Sequence, residues 1–164
     1  MAVEQAFTGI QVLELGARLG AGGCGSLLRQ VGASVTYADL VGHQTSIETK
    51  HDHRALFAAG KSSLGIDLAS AQSIRDAKAL VANYDVVITS HDVDPDWISL
   101  FGDGWNNDRI VCDISAFGRT GPLAGKPYSD FQIQALTGLI DTTGSTDEPA
   151  TRIAIPVTEC LAAL

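Results

Sequence analysis

Cysteine is scarce in this 164-residue chain: Cys24, Cys112 and Cys160 are odd in number and far apart. That spacing fits neither a disulfide framework nor a zinc site, and a reducing cytoplasm is the compartment expected. No metal is expected either, since His51 and His53 flank Asp52 without the further ligands a site needs. Basic residues are few, 11 Lys and Arg against 19 Asp and Glu, for a formal charge of −8. Binding to nucleic acid irrespective of sequence needs a basic face, so that class is set aside. A small anionic ligand is not, because a few local cations and backbone amides hold phosphates. An apolar run of the roughly 18–20 residues that cross a bilayer is missing, so no membrane partner is expected. The opening MAVEQAFTG carries an early acid and no basic start, so no signal peptide is expected.

What is present is a chain with 45% hydrophobic residues, enough for the core of one α/β domain. Short apolar, β-branched runs read as strands over residues 10–15, 33–39, 63–68, 85–89 and 109–115. Helices are expected over 26–31, ended by Gly32, and over 71–83, with Ser70 as N-cap and Ile74, Ala77 and Val81 on one face. Two more are expected over 130–139 and 157–164. Strand–helix alternation implies a doubly wound, mostly parallel, Rossmann-like sheet. The apolar last helix stops at Ala-Ala-Leu without a polar cap. Residues 1–164 are therefore expected to be an incomplete large domain, unstable or self-associating alone.

Residues Gly16 to Gly25 form a glycine-rich stretch, read as a loop after the first strand. Gly20-Ala21-Gly22-Gly23-Cys24-Gly25 fits G-x-G-x-x-G, and Asp39 closes the next strand, the outline of a dinucleotide-binding unit. Val12-Leu13-Glu14-Leu15-Gly16 equally resembles the loop that cradles S-adenosylmethionine in methyltransferases. A plain strand-to-helix turn explains the same glycines. All three readings stay open on this segment alone.

Later segments are more specific. Gly60-Lys61-Ser62-Ser63-Leu64-Gly65-Ile66-Asp67-Leu68, Tyr84-Asp85-Val86-Val87-Ile88, the run from Asp108 to Pro122 with Phe117-Gly118-Arg119-Thr120-Gly121-Pro122, Ser129-Asp130-Phe131-Gln132-Ile133-Gln134-Ala135-Leu136, Thr143-Gly144 and Pro156-Val157-Thr158-Glu159 follow in order. Together they resemble the N-terminal part of the family III CoA-transferases, which include formyl-CoA and carnitine CoA-transferases and α-methylacyl-CoA racemases.

The resemblance implies transfer of CoA between an acyl-CoA and a small carboxylic acid through a carboxylate nucleophile and a mixed anhydride. Glu159 stands where the family has its nucleophilic aspartate. Arg18, Lys61 and Lys126 are the candidate cations for CoA, which enters as acyl-CoA substrate. Ser90 and His91 open the segment where the family carries a CoA-contacting loop, although Asp92 and Asp94 follow. The resemblance also implies a homodimer, or association with a C-terminal segment. Three other functions are kept: a non-catalytic CoA-binding or interaction module, an acyl-CoA racemase, and an NAD-dependent dehydrogenase using Gly20, Gly22 and Gly25. The racemase branch carries a histidine where Ser129 stands here, which removes one of two bases. His43, Trp97 and Trp105 are read as loop or packing residues.

Overall fold

The computed structural model describes residues 5–16, 18–41, 56–90, 108–126 and 128–164. Five strands, β1 (Gln11–Leu15), β2 (Ser34–Leu40), β3 (Ser62–Ile66), β4 (Val86–Ser90) and β5 (Ile110–Ile114), form one sheet in the order β3-β2-β1-β4-β5. Every pairing is parallel. The central strand β1 has neighbours on both edges and helices over both faces, so its apolar run is buried on both sides: Val12, Leu13 and Leu15 are at most 1% exposed.

Alternation along the strands divides the core into two layers. Leu13, Leu15, Val87 and Ile66 pack with Ala77 and Val81 of α2 (Ala71–Val81) on one face. Val12, Val35 and Ile88 pack with Ala21 of α1 (Leu19–Gln30) on the other. The expected doubly wound α/β fold is the one found. Ser70 caps α2, accepting from the Ser73 N–H at 3.2 Å, and Gly32 ends the α1 turn with φ +111°.

The glycine stretch corrects the expectation of a loop. α1 begins at Leu19 and runs through Gly20, Gly22, Gly23 and Gly25, although each glycine inside a helix costs about 1 kcal/mol relative to alanine. Packing explains the cost: a Cβ at Gly25 would lie 2.5–2.8 Å from the Glu14 carboxylate atoms, and one at Gly23 2.9 Å from Ala163 Cβ. The glycines therefore let α1 lie close against β1 and against α4 (Val157–Ala162). The turn that remains is Gly16, whose φ of +134° and closeness to Ser90 admit no side chain.

α3 (Asp130–Leu136) is shorter than expected and is followed by a 3₁₀ turn, Leu139–Thr142. Gly138, in the left-handed region at φ +75°, separates the two. No helix among the described residues is long and apolar enough to cross a membrane.

Candidate active site

The strand order reverses between β1 and β4, and connections there leave a crevice at the carboxyl ends of the strands. A cleft of about 140 Å³ lies at this end, lined by Arg18 and Gly20 after β1, Ile114 at the end of β5 with Ser115 and Ala116 after it, Tyr128, Ile133 of α3, and Thr158, Glu159 and Ala162 of α4.

Glu159 sits in the first turn of α4. Its Oε1 accepts a hydrogen bond from Arg18 Nη1 at 2.7 Å, and Oε2 accepts from the Leu19 N–H at 3.1 Å. The second donor is an otherwise unmatched amide at the start of α1, where the helix dipole favours an anion. Arg18 is fixed from its other side: Nη2 donates to the Tyr128 carbonyl at 2.5 Å, and the guanidinium carbon lies 4.0 Å from the Tyr128 ring centroid. The Arg18 and Glu159 side chains are only 14% and 12% exposed. Burial raises the Tyr128 phenol above its usual range, with the Arg18 cation working against that shift.

Asp130 supports this arrangement. Its Oδ1 accepts from the Thr158 N–H at 2.8 Å, the Glu159 N–H at 3.1 Å and the Thr158 hydroxyl, and so caps α4 from outside. Its Oδ2 accepts from Gln134 Nε2 at 2.5 Å. Gln134, 1% exposed, also accepts from the Ile153 N–H at 2.9 Å and fixes the chain entering α4. Ser129 and Gln132 form a capping box at the start of α3. Tyr128, Asp130 and Gln134 carry no expected role in the sequence. The available signal was the i, i+4 spacing of Asp130 and Gln134, which puts both on one side of a helix.

The other candidates are dispersed. Lys61 is not an exposed cation at the cleft: its Nζ is buried and donates to Glu14 Oε1 at 2.5 Å, Glu14 Oε2 at 2.8 Å and the Gly22 carbonyl at 2.8 Å. All three ammonium hydrogens thus have acceptors inside the protein. Burial pushes the Glu14 carboxyl up to about 7, with the hydrogen bond and charge of Lys61 pulling the other way. Ser90, at the end of β4, is 4% exposed, and its hydroxyl has no hydrogen-bond partner among the described residues. Lys126 is exposed on the turn before Tyr128. His91, like His43, His51, Asp52, His53, Asp92, Asp94, Trp97 and Trp105, lies outside the described residues. Among the described residues no three His, Cys, Asp or Glu side chains converge as a metal site.

The succinyl-CoA–D-citramalate CoA-transferase of Chloroflexus aurantiacus is 32% identical over 168 residues, which cover 94% of this chain and 41% of that protein. The succinate–glutarate CoA-transferase of Agrobacterium fabrum is 26% identical over 172 residues, covering 93% of this chain and 42% of that one. A CaiB/BaiF family protein from Brucella suis, solved by crystallography, superposes with a TM-score of 0.76 at 25% identity, over 98% of this chain and 48% of its own. This chain thus spans about two fifths of the length of the two transferases. The signature of CoA-transferase family III matches residues 7–164, nearly all of the sequence, and the chain belongs to that family.

Proposed function

We propose that this chain supplies the nucleophile half of an enzyme that moves CoA from an acyl-CoA to a small carboxylic acid, with Glu159 as the group acylated. The observation that carries the reading is the position of the Glu159 carboxylate: on the wall of the strand-end cleft, oriented by Arg18 and by the Leu19 amide.

In the proposed sequence a Glu159 oxygen attacks the thioester carbonyl, the C–S bond breaks, and CoA leaves as thiolate. The acyl group stays on Glu159 as a mixed anhydride. The thiolate then attacks the glutamyl carbonyl, which releases the donor acid as carboxylate and leaves a glutamyl–CoA thioester. The acceptor carboxylate attacks that thioester, forms a new anhydride and expels thiolate. Attack of the thiolate on the new acyl carbonyl gives the product acyl-CoA and the free Glu159 carboxylate. Charge balances at each step, and no oxidant or net proton is needed.

The Leu19 N–H, 3.1 Å from Oε2, supports the two middle steps. It would donate to that oxygen as negative charge builds on the glutamyl carbonyl. Glutamate in place of aspartate adds one methylene, and in this chain that reach spans from α4 to the start of α1.

The named relatives act on succinyl-CoA, D-citramalate, succinate and glutarate by their own names, and short dicarboxylic acids are the proposed substrates here. Lys126, exposed beside the cleft's Tyr128, is the proposed contact for CoA phosphates. Ser90, the last residue of β4, and His91, outside the described residues, are kept as proposed CoA contacts. Ser129 caps α3 instead of offering an imidazole, which favours transfer over racemisation. Gly20, Gly22 and Gly25, inside α1 and turned to packing, favour it over nicotinamide binding.

The test is exchange of labelled succinate into succinyl-CoA by the purified protein in its native assembly. Exchange that vanishes in Glu159→Gln and persists in Glu159→Asp supports the reading. Undiminished exchange in Glu159→Gln overturns it.

A further inference from the structure

We infer that Arg18 binds the carboxylate of the donor and acceptor acids, taking it in exchange for Glu159 while Glu159 is held as the CoA thioester. This rests on the reading of Glu159 as the acylated group.

In the resting site Arg18 Nη1 faces a full carboxylate at 2.7 Å, in a setting where both side chains are largely shielded from water. As anhydride or thioester the Glu159 side chain is neutral, so one negative charge beside the guanidinium disappears. Arg18 stays in place when that happens, because Nη2 is bonded to the Tyr128 carbonyl and the group stacks on the Tyr128 ring. A shielded cation that has lost a countercharge strongly favours a replacement.

Among the described residues, two acids of this region are otherwise engaged. Asp113 accepts from Thr89 at 2.7 Å and faces Arg119 at 3.4 Å. Asp130 is occupied with the start of α4 and with Gln134. The reaction, however, places a free carboxylate in the cleft at the thioester stage: the donor acid leaves as one, and the acceptor arrives as one. A guanidinium pairs with a carboxylate through parallel N–H donors, a match that a lysine does not reproduce.

The rest of the cleft suits a short acid. Ile114, Ala116 and Ile133 give it an apolar wall, and its volume is about 140 Å³. That is close to the roughly 150 Å³ apolar cavity that takes up one benzene. A short acid fits within the cleft.

The inference separates from catalysis by using a substitution that copies the neutral state. Glu159→Gln removes the charge and keeps the shape, so acetate should bind it roughly 10- to 100-fold more tightly than wild type, the range of a charge-assisted hydrogen bond. Titration calorimetry or ligand-observed NMR reads this directly on the native assembly. The gain should disappear in Glu159→Gln/Arg18→Met, and acetamide, similar in shape but uncharged, should show none. Glu159→Ala removes the same charge and repeats the comparison if the Gln variant folds poorly. Equal acetate affinity in wild type and the charge-removed variants overturns the inference, as does a gain that survives Arg18→Met. A gain in acetate binding with the acyl adduct mapped to another residue would leave the Arg18 site standing and remove Glu159 as nucleophile. An adduct on Glu159 without the gain would do the reverse.

Discussion

Replacing Lys61 by methionine is predicted to destabilise the fold in a pH-dependent way. The ammonium makes three hydrogen bonds, and the Lys61 and Glu14 side chains are 1% and 3% exposed. Losing one member of such a pair strands the other, at a cost of about 3–5 kcal/mol when it must stay charged. Glu14 has a way out, because burial already holds its carboxyl near 7 against an ordinary 4.5. A carboxyl whose folded pKa is raised binds its proton more tightly in the folded state. Its contribution to stability is therefore fully present below the unfolded value and is lost as pH rises through the folded one. For a span from 4.5 to about 7 that swing is roughly 3 kcal/mol. Without Lys61, both of the influences that lower the Glu14 pKa are gone, so the window moves upward. The cost of Lys61→Met should be largest at pH 8.5 and shrink toward pH 6. Urea unfolding at the two pH values, with wild type alongside, measures it. Glu14→Gln/Lys61→Met should recover much of the loss, since no buried charge remains. A cost below about 1 kcal/mol at pH 8.5, or one equal at both pH values, would refute the buried-pair reasoning.

Three further outcomes follow from the packing. Gly25→Ala puts a methyl against the Glu14 carboxylate and should cost about 1–3 kcal/mol by thermal or urea unfolding, despite alanine's better helix propensity. Asp130→Ala removes the acceptor for the Thr158 and Glu159 amides; a loss of about 1–2 kcal/mol is expected, with slower acylation than wild type at equal folded fraction in single-turnover assays. Ile110, Leu136 and Leu161 are each more than 60% exposed, so the isolated chain should self-associate, and its sedimentation should show a mass that rises with concentration.

Much of the fold was legible because the strands are short apolar, β-branched runs with clear ends. The residues expected at 10–15 and 85–89 become Gln11–Leu15 and Val86–Ser90. The start of α1 was not legible. Local propensity argues against a helix through four glycines, and close contacts with residues of other elements, Glu14, Ile114 and Ala163 among them, explain why glycine stands there. The site divides the same way. Arg18 and Glu159 were each picked out, but as a phosphate ligand and a nucleophile; 141 positions of sequence separate a pair that the fold brings within 2.7 Å. Lys61 reads as a candidate cation for CoA because nothing in its neighbourhood of sequence announces Glu14 and the Gly22 carbonyl as its acceptors. Asp130 and Gln134 passed as helix residues, since their work is done on a chain segment some 20–30 positions away.

The claim that Glu159 is the acylated carboxylate is tested most directly by trapping. The native assembly is mixed with succinyl-CoA and quenched with hydroxylamine, and the modified residue is located by mass spectrometry. The account predicts a hydroxamate on Glu159, absent from Glu159→Gln and from a control without acyl-CoA. A hydroxamate on any other side chain, or turnover of succinyl-CoA with Glu159 unmodified, would contradict it.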